Sequence, residues 1–229
     1  PLRRHVGRLG ERGDATGRRS SDIAARSALL VGGVDFGGTR KEDESSGDLS
    51  PVQRLTRASA ERWGELPGAK REVREISELF AGAEDDWAVK LLADGEASVP
   101  GVLAQLETSR VAHLATHGIF ASDQPKTLQS SSPETKWPLL RQSIERNPLL
   151  ASGLVLSGAN EDPRQGLLLA ETIAGRQMPE LQLVVLSACD SGQGRLLHGE
   201  GTYGLQQAFH LAGAEHVVAS RWKVDDEAT

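Results

Sequence analysis

Leu183–Gly204 reads LVVLSACDSGQGRLLHGEGTYG. Four apolar residues, Leu183–Leu186, lead through Ser187 and Ala188 to Cys189, and the run ends at once in Asp190, Ser191 and Gly192. A short apolar run closed by turn residues predicts a buried strand. Cys189 is the only cysteine of the chain. A strand that stops in a turn presents a nucleophile well, because the strand fixes the backbone and the turn exposes the side chain. A lone thiol also reads as a core residue, since free cysteine is among the most buried residue types. The surrounding sequence decides between the two.

After the motif, Tyr203–Ala212 (YGLQQAFHLA) is amphipathic and ends at Gly213, and His216–Ser220 (HVVAS) predicts another strand. Before it, Leu167–Ala174 predicts a short helix and Leu149–Ser157 (LLASGLVLS) a strand. Ala121–Asn147 has little pattern and reads as a long loop, which in a compact domain is often functional. Arg110–Thr116 (RVAHLAT) predicts a strand ending at His117–Gly118. Ser98 and Pro100 mark a helix start, with Val102, Leu103 and Leu106 inward. Trp87–Leu92 predicts a strand. Leu66–Pro67–Gly68 is a turn leading into a helix over Ala69–Ala81, with Val73, Ile76, Leu79 and Phe80 on one face and Gly82 as C-cap. Ser50–Trp63 is ambiguous, and the glycine-rich Asp35–Leu49 reads as a surface loop. Ala28–Val31 predicts a first buried strand, closed by Gly32 and Gly33. Pro1–Ser27, rich in Arg, Gly and Ser, reads as a linker or disordered tail before a domain over residues 28–229.

Strands alternating with helices predict an α/β fold with a mostly parallel sheet of about six strands. Sites in such sheets form at the carboxyl ends of strands. His117 and Cys189 both fall just past a predicted strand end, 72 positions apart. If those strands are neighbours, the imidazole and the thiol meet at the sheet edge. A histidine beside a thiol lowers its pKa or takes its proton, and then protonates a leaving amine. Gly118 lets backbone approach a substrate closely. Its N–H and that of Cys189 are the candidate oxyanion donors. The expected reaction is acyl transfer, namely hydrolysis of a peptide bond.

Bulk properties are compatible with this. Of 229 residues, 38% are apolar and 4% aromatic, and the formal net charge is −6. That balance predicts neither direct nucleic-acid binding nor membrane-surface binding. A single cysteine excludes an intramolecular disulfide framework and fits a reducing, cytoplasmic setting. No run approaches the ~18 apolar residues of a membrane span, and no signal peptide is visible. The chain begins at Pro1 and stops at Thr229 inside a charged stretch, which predicts a fragment cut at both ends.

Several ordered motifs extend the reading. HLATHG (His113–Gly118), LVVLSACDSGQG (Leu183–Gly194), GEGTYGLQQAFHLAGA (Gly199–Ala214) and SRWKVDDEAT (Ser220–Thr229) together resemble the CHAT family, caspase-like cysteine peptidases related to separase. LPGAKREVREI (Leu66–Ile76) and NPLLASGLVLSGAN (Asn147–Asn160) fit as well. The resemblance implies a caspase-like three-layer sandwich with helices on both sheet faces, here incomplete at its C-terminal end. It implies that His117 is the catalytic histidine and Cys189 the nucleophile. It also implies a protein or peptide substrate, and control by an activator protein or an upstream tetratricopeptide-repeat region. No ~34-residue period marks such repeats within the chain.

Other motifs compete. His113 and His117 are four apart, but VAHLAT reads as strand and no third ligand is spaced for zinc, so no metal is expected and His113 reads as structural. Gly199–Gly204 matches G-x-G-x-x-G with Asp225 downstream, yet the first glycine does not directly follow a strand, so no dinucleotide cofactor is expected. Substrate choice would rest on acidic residues. In separase a similar Trp-x-Val-x-Asp segment supplies an acidic residue to the pocket for a basic side chain. Asp226 holds that place in Trp222–Asp226, and Asp190 is a second candidate. Either would favour Arg or Lys before the cut bond; the other reading of Asp225–Glu227 is a solvated turn. The alternative to an enzyme is a catalytically silent interaction or scaffold module on the same fold.

Overall fold

The computed structural model describes residues 26–38, 63–84, 86–120, 149, 152–188 and 200–219. The tail before Arg26 and the Ala121–Asn147 stretch, both singled out above, lie outside the described residues.

Five strands form a parallel sheet in the order β2-β1-β3-β7-β8. They are β1 (Ser27–Val34), β2 (Ala88–Asp94), β3 (Val111–Ala115), β7 (Leu183–Ser187) and β8 (His216–Ala219). Strands covered on both faces become continuous apolar runs. β1 follows that rule, with Ala28, Leu29, Leu30 and Val31 all buried. The edge strands behave differently. β2 puts Lys90 out to solvent, and Val218 on β8 is 55% exposed.

Helices pack on both faces. α1 (Pro67–Ala81) lays Ala69 and Val73 on Leu30 and Ala115. The approach is so close that a Cβ at Gly32 would stand 2.8 Å from the Ala69 carbonyl oxygen. β1 therefore runs on through Gly32 and Gly33 to Val34, where the sequence suggested that the glycines end it. Leu79, expected on the inner face of α1, is 74% exposed, because at 3.6 residues per turn it falls roughly 100° round the helix from Ala69, Val73 and Phe80. On the opposite face Leu29, Val31, Ala112, Leu114, Val184 and Leu186 build the larger core. α2 (Val99–Leu106) adds Val102, Leu103 and Leu106 to it. Its N-cap Ser98 accepts from the Gly101 N–H, and Pro100 stands in its first turn, as expected.

The stretch Leu149–Ser157 does not join the parallel sheet. Its strand β5 (Ser152–Val155) sits in a separate antiparallel sheet between β4 (Gly118–Phe120) and β6 (Leu167–Leu169). Among the described residues the parallel sheet thus has five strands, where about six were expected. Leu167–Ala174, expected as one helix, is β6 followed by the one-turn helix α4 (Ala170–Ala174). Three consecutive leucines carry no period that separates strand from helix. α5 (Glu200–Ala212) closes at Gly213, whose φ of +117° suits glycine. α5 begins at Glu200, so Gly201 and Gly204 of GEGTYG lie within the helix, while Gly199 lies outside the described residues. None of the described helices is long and apolar enough to cross a membrane.

Between β5 and β6 the chain turns through residues 157–162 into a single helical turn, α3 (Pro163–Gly166). Asp162 caps it by accepting from the Arg164 N–H at 3.0 Å, and Gln165 Nε2 donates to the same carboxylate. Partial burial pushes the Asp162 carboxyl up. The Arg164 N–H, its guanidinium and Gln165 outweigh that, and the net pKa lies below the ordinary carboxylate value. A depressed folded pKa contributes stability that is complete above the unfolded value and lost as pH falls through the folded one. Asp162→Ala is expected to cost about 1 kcal/mol near neutral pH, the usual worth of a cap. The gap should narrow in acid. Urea melts of both proteins across the acid range test this; a gap that stays constant there would overturn it.

Candidate active site

β3 and β7 are adjacent and parallel, paired Val111–Leu183, His113–Val185 and Ala115–Ser187. Each pair is 72 positions apart, the sequence separation of His117 and Cys189. The strands that lead to the two candidate residues are therefore neighbours and end level with each other. Cys189, Asp190 and Asp226 themselves lie outside the described residues.

The chain leaves the parallel sheet at Ala115 and enters the antiparallel one at Gly118. Thr116 and His117 make the crossing. Both are buried, and both are tied to Val155 of β5. The Thr116 hydroxyl donates to the Val155 carbonyl at 2.5 Å, and the Val155 N–H donates to the His117 carbonyl at 2.9 Å. The latter bond makes Gly118 and Leu154 a non-hydrogen-bonded pair of the antiparallel ladder. In such a pair the amide points away from the partner strand, so the Gly118 N–H is directed off β5.

The imidazole of His117 is 6% exposed. Its Nε2 lies 2.8 Å from the carbonyl oxygen of Gly64. A carbonyl only accepts, so Nε2 carries the proton, and in the neutral ring Nδ1 then holds the lone pair. Phe36 stacks obliquely against the ring, centroid to centroid 4.9 Å at 47°. Phe36 is itself 3% exposed, although it falls in a stretch read from sequence as surface loop. A single aromatic in a glycine-rich segment was the available signal. Nothing in the sequence marked Gly64, whose contribution is a backbone oxygen.

His113 has separate partners. It points to the α1 face, where its Nε2 lies 3.0 Å from Glu72 Oε1 with both side chains largely buried. The contact does not meet hydrogen-bond geometry, so it is a close approach of ring nitrogen and carboxylate rather than a directed hydrogen bond. Among the described residues no three His, Cys, Asp or Glu side chains gather as a metal site would require.

A histidine with a fixed tautomer stands at one strand end, and the neighbouring strand leads in register to the SAC motif. A match to the CHAT domain accompanies this geometry over residues 5–229. The chain belongs to the CHAT domain family. CHAT domains are a caspase-like, peptidase-related family. The match takes in the THG and SAC segments, the α1 region and the segment through Asn160. No curated protein matches this CHAT domain.

Proposed function

We propose that this CHAT domain is a cysteine endopeptidase that hydrolyses peptide bonds with His117 as base and Cys189 as nucleophile. The observation that carries the reading is the in-register pairing of β3 with β7, whose constant offset equals the separation of the two residues. The fixed Nε2–H of His117 supports it further, because it assigns the lone pair to Nδ1 as the proton acceptor.

The proposed chemistry runs in two halves. Nδ1 takes the Cys189 proton, and the thiolate sulfur adds to the substrate carbonyl carbon. The oxyanion is met by the outward Gly118 N–H and the Cys189 N–H. The C–N bond breaks, and imidazolium His117 returns its proton to the departing amine. A water then gives a proton to Nδ1 and attacks the thioester, releasing the acid and restoring the thiol. The Gly64 carbonyl holds the ring in orientation throughout and stabilises its protonated form.

Asp226 and Asp190 are proposed to select Arg or Lys before the scissile bond through charge-assisted hydrogen bonds. The reading includes a cytoplasmic setting, which rests on the single cysteine, and control by an activator or an upstream tetratricopeptide-repeat region, which rests on the sequence resemblance. The test uses peptidyl electrophiles ending in Arg, Lys or Asp. The basic probes are expected to label Cys189, and labelling should fall at least about tenfold in His117→Ala, which removes the base. Absence of labelling by any probe would favour a silent scaffold, and preference for the Asp probe would sink the acidic pocket.

A further inference from the structure

We propose that Asn160 is a positioning residue for His117, holding two neighbours of the imidazole in place from outside the site; the proposal rests on the peptidase reading for its catalytic consequence. His117 contacts the Gly64 carbonyl and the Phe36 ring. These come from two segments distant in sequence, one following β1 and one preceding α1. A single residue fastens both. The Asn160 N–H donates to the Phe36 carbonyl at 2.8 Å, and Nδ2 donates to the Gly37 carbonyl at 3.2 Å. Nδ2 also donates to the Trp63 carbonyl at 3.0 Å, and Oδ1 accepts from the Trp63 N–H at 3.0 Å.

The arrangement fixes the amide orientation. A flipped side chain would set NH2 against the Trp63 N–H and oxygen against two carbonyls. Only asparagine supplies an acceptor and two donors in this small planar space. The Trp63 carbonyl belongs to the peptide unit that leads into Gly64, so holding both polar groups of Trp63 anchors the chain one residue before the Gly64 carbonyl and limits how far that carbonyl can move. Asn160 is in turn held by its turn, where Gly158 has a φ of +76° and Asp162 caps α3.

Asn160 is thus coupled to the tautomer of His117 without touching it. Removing the amide would free the Gly64 carbonyl to drift, and Nε2 would lose the acceptor that keeps its proton there. Small misplacements of a catalytic group cost about 10- to 100-fold in rate.

The test is nitrogen-15 NMR of the His117 ring together with peptide hydrolysis, in the whole chain. Asn160→Ala and Asn160→Asp are compared with Glu161→Ala. Asn160→Asp keeps the acceptor for the Trp63 N–H but faces a carboxylate oxygen toward two carbonyls, so it reports even where Asn160→Ala fails to fold. Among the described residues the Glu161 side chain accepts only from the neighbouring Gly38 N–H, at 3.3 Å. Both Asn160 variants are expected to lose the pure Nε2–H signature and to lower kcat about tenfold or more with little change in KM. Glu161→Ala should do neither. An unchanged tautomer ratio in folded Asn160 variants would overturn the proposal, as would a changed ratio with unaltered kcat. If the native chain cleaves no peptide, the peptidase reading falls alone, and the ring signature still decides the role of Asn160.

Discussion

Cys189→Ala is expected to abolish peptide hydrolysis, with a loss on the order of 10⁴-fold or more in kcat. The size follows from the shared task of thiol and imidazole. Without the sulfur there is no covalent intermediate, and His117 has no proton to relay. His117→Ala should cost a comparable factor, because the thiol then loses its base and the departing amine loses its proton donor. The double substitution should be little worse than either single one, since groups that act as a unit are not additive. Kinetics of the three variants on one peptide settle the matter. Hydrolysis by Cys189→Ala within tenfold of the native rate would remove Cys189 from the mechanism.

The second large effect concerns folding. Gly166→Ala is expected to destabilise the protein by about 3 kcal/mol, at the upper end of the usual cost of overpacking. A Cβ at Gly166 would lie 2.3 Å from Ala159 Cα and 2.4 Å from Ala159 N. Those are backbone atoms in a hydrogen-bonded turn, so no side-chain rotation relieves the clash. The Gly166 carbonyl also accepts from the Leu156 N–H at 2.7 Å, which prevents the helical turn from backing away. For a chain of this size the midpoint should fall by roughly 10 °C. Gly95→Ala, where nothing lies within 4 Å, is the control and should melt within a degree or two of native. Equal midpoints for the two variants would show that the turn can yield.

The parallel sheet was legible because its strands are buried on both faces and therefore appear as unbroken apolar runs, as in Ala28–Val31 and Leu183–Leu186. The start of α2 was legible from Ser98 and Pro100, and the end of α5 from Gly213, because cap chemistry is local. The small antiparallel sheet was not. β4 and β6 are three residues each, too short for alternation to register, and β5 is buried like a parallel strand. His117 stood out as a polar residue after an apolar run. Its supports did not, because a backbone carbonyl at Gly64 and a loop aromatic at Phe36 acquire meaning only through contacts across the fold. Asn160 lies 43 positions from His117, and its bonds reach back 97 positions to Trp63.

The crossing at Thr116–His117 also bears on how such a chain tolerates change in length. Residues 121–151 connect β4 to β5, and β4 begins immediately after the histidine. Yet the bonds that seat Thr116 and His117 run to Val155, at the far end of the partner strand from that connection. The ladder between Gly118 and Phe120 stands between the two. Doubling the connection would add only about 0.6 kcal/mol of closure entropy, and that cost falls on the open end of the ladder. The histidine is thereby insulated from the length of the connection beside it, and an insertion there needs no compensation at the end of the ladder where His117 sits.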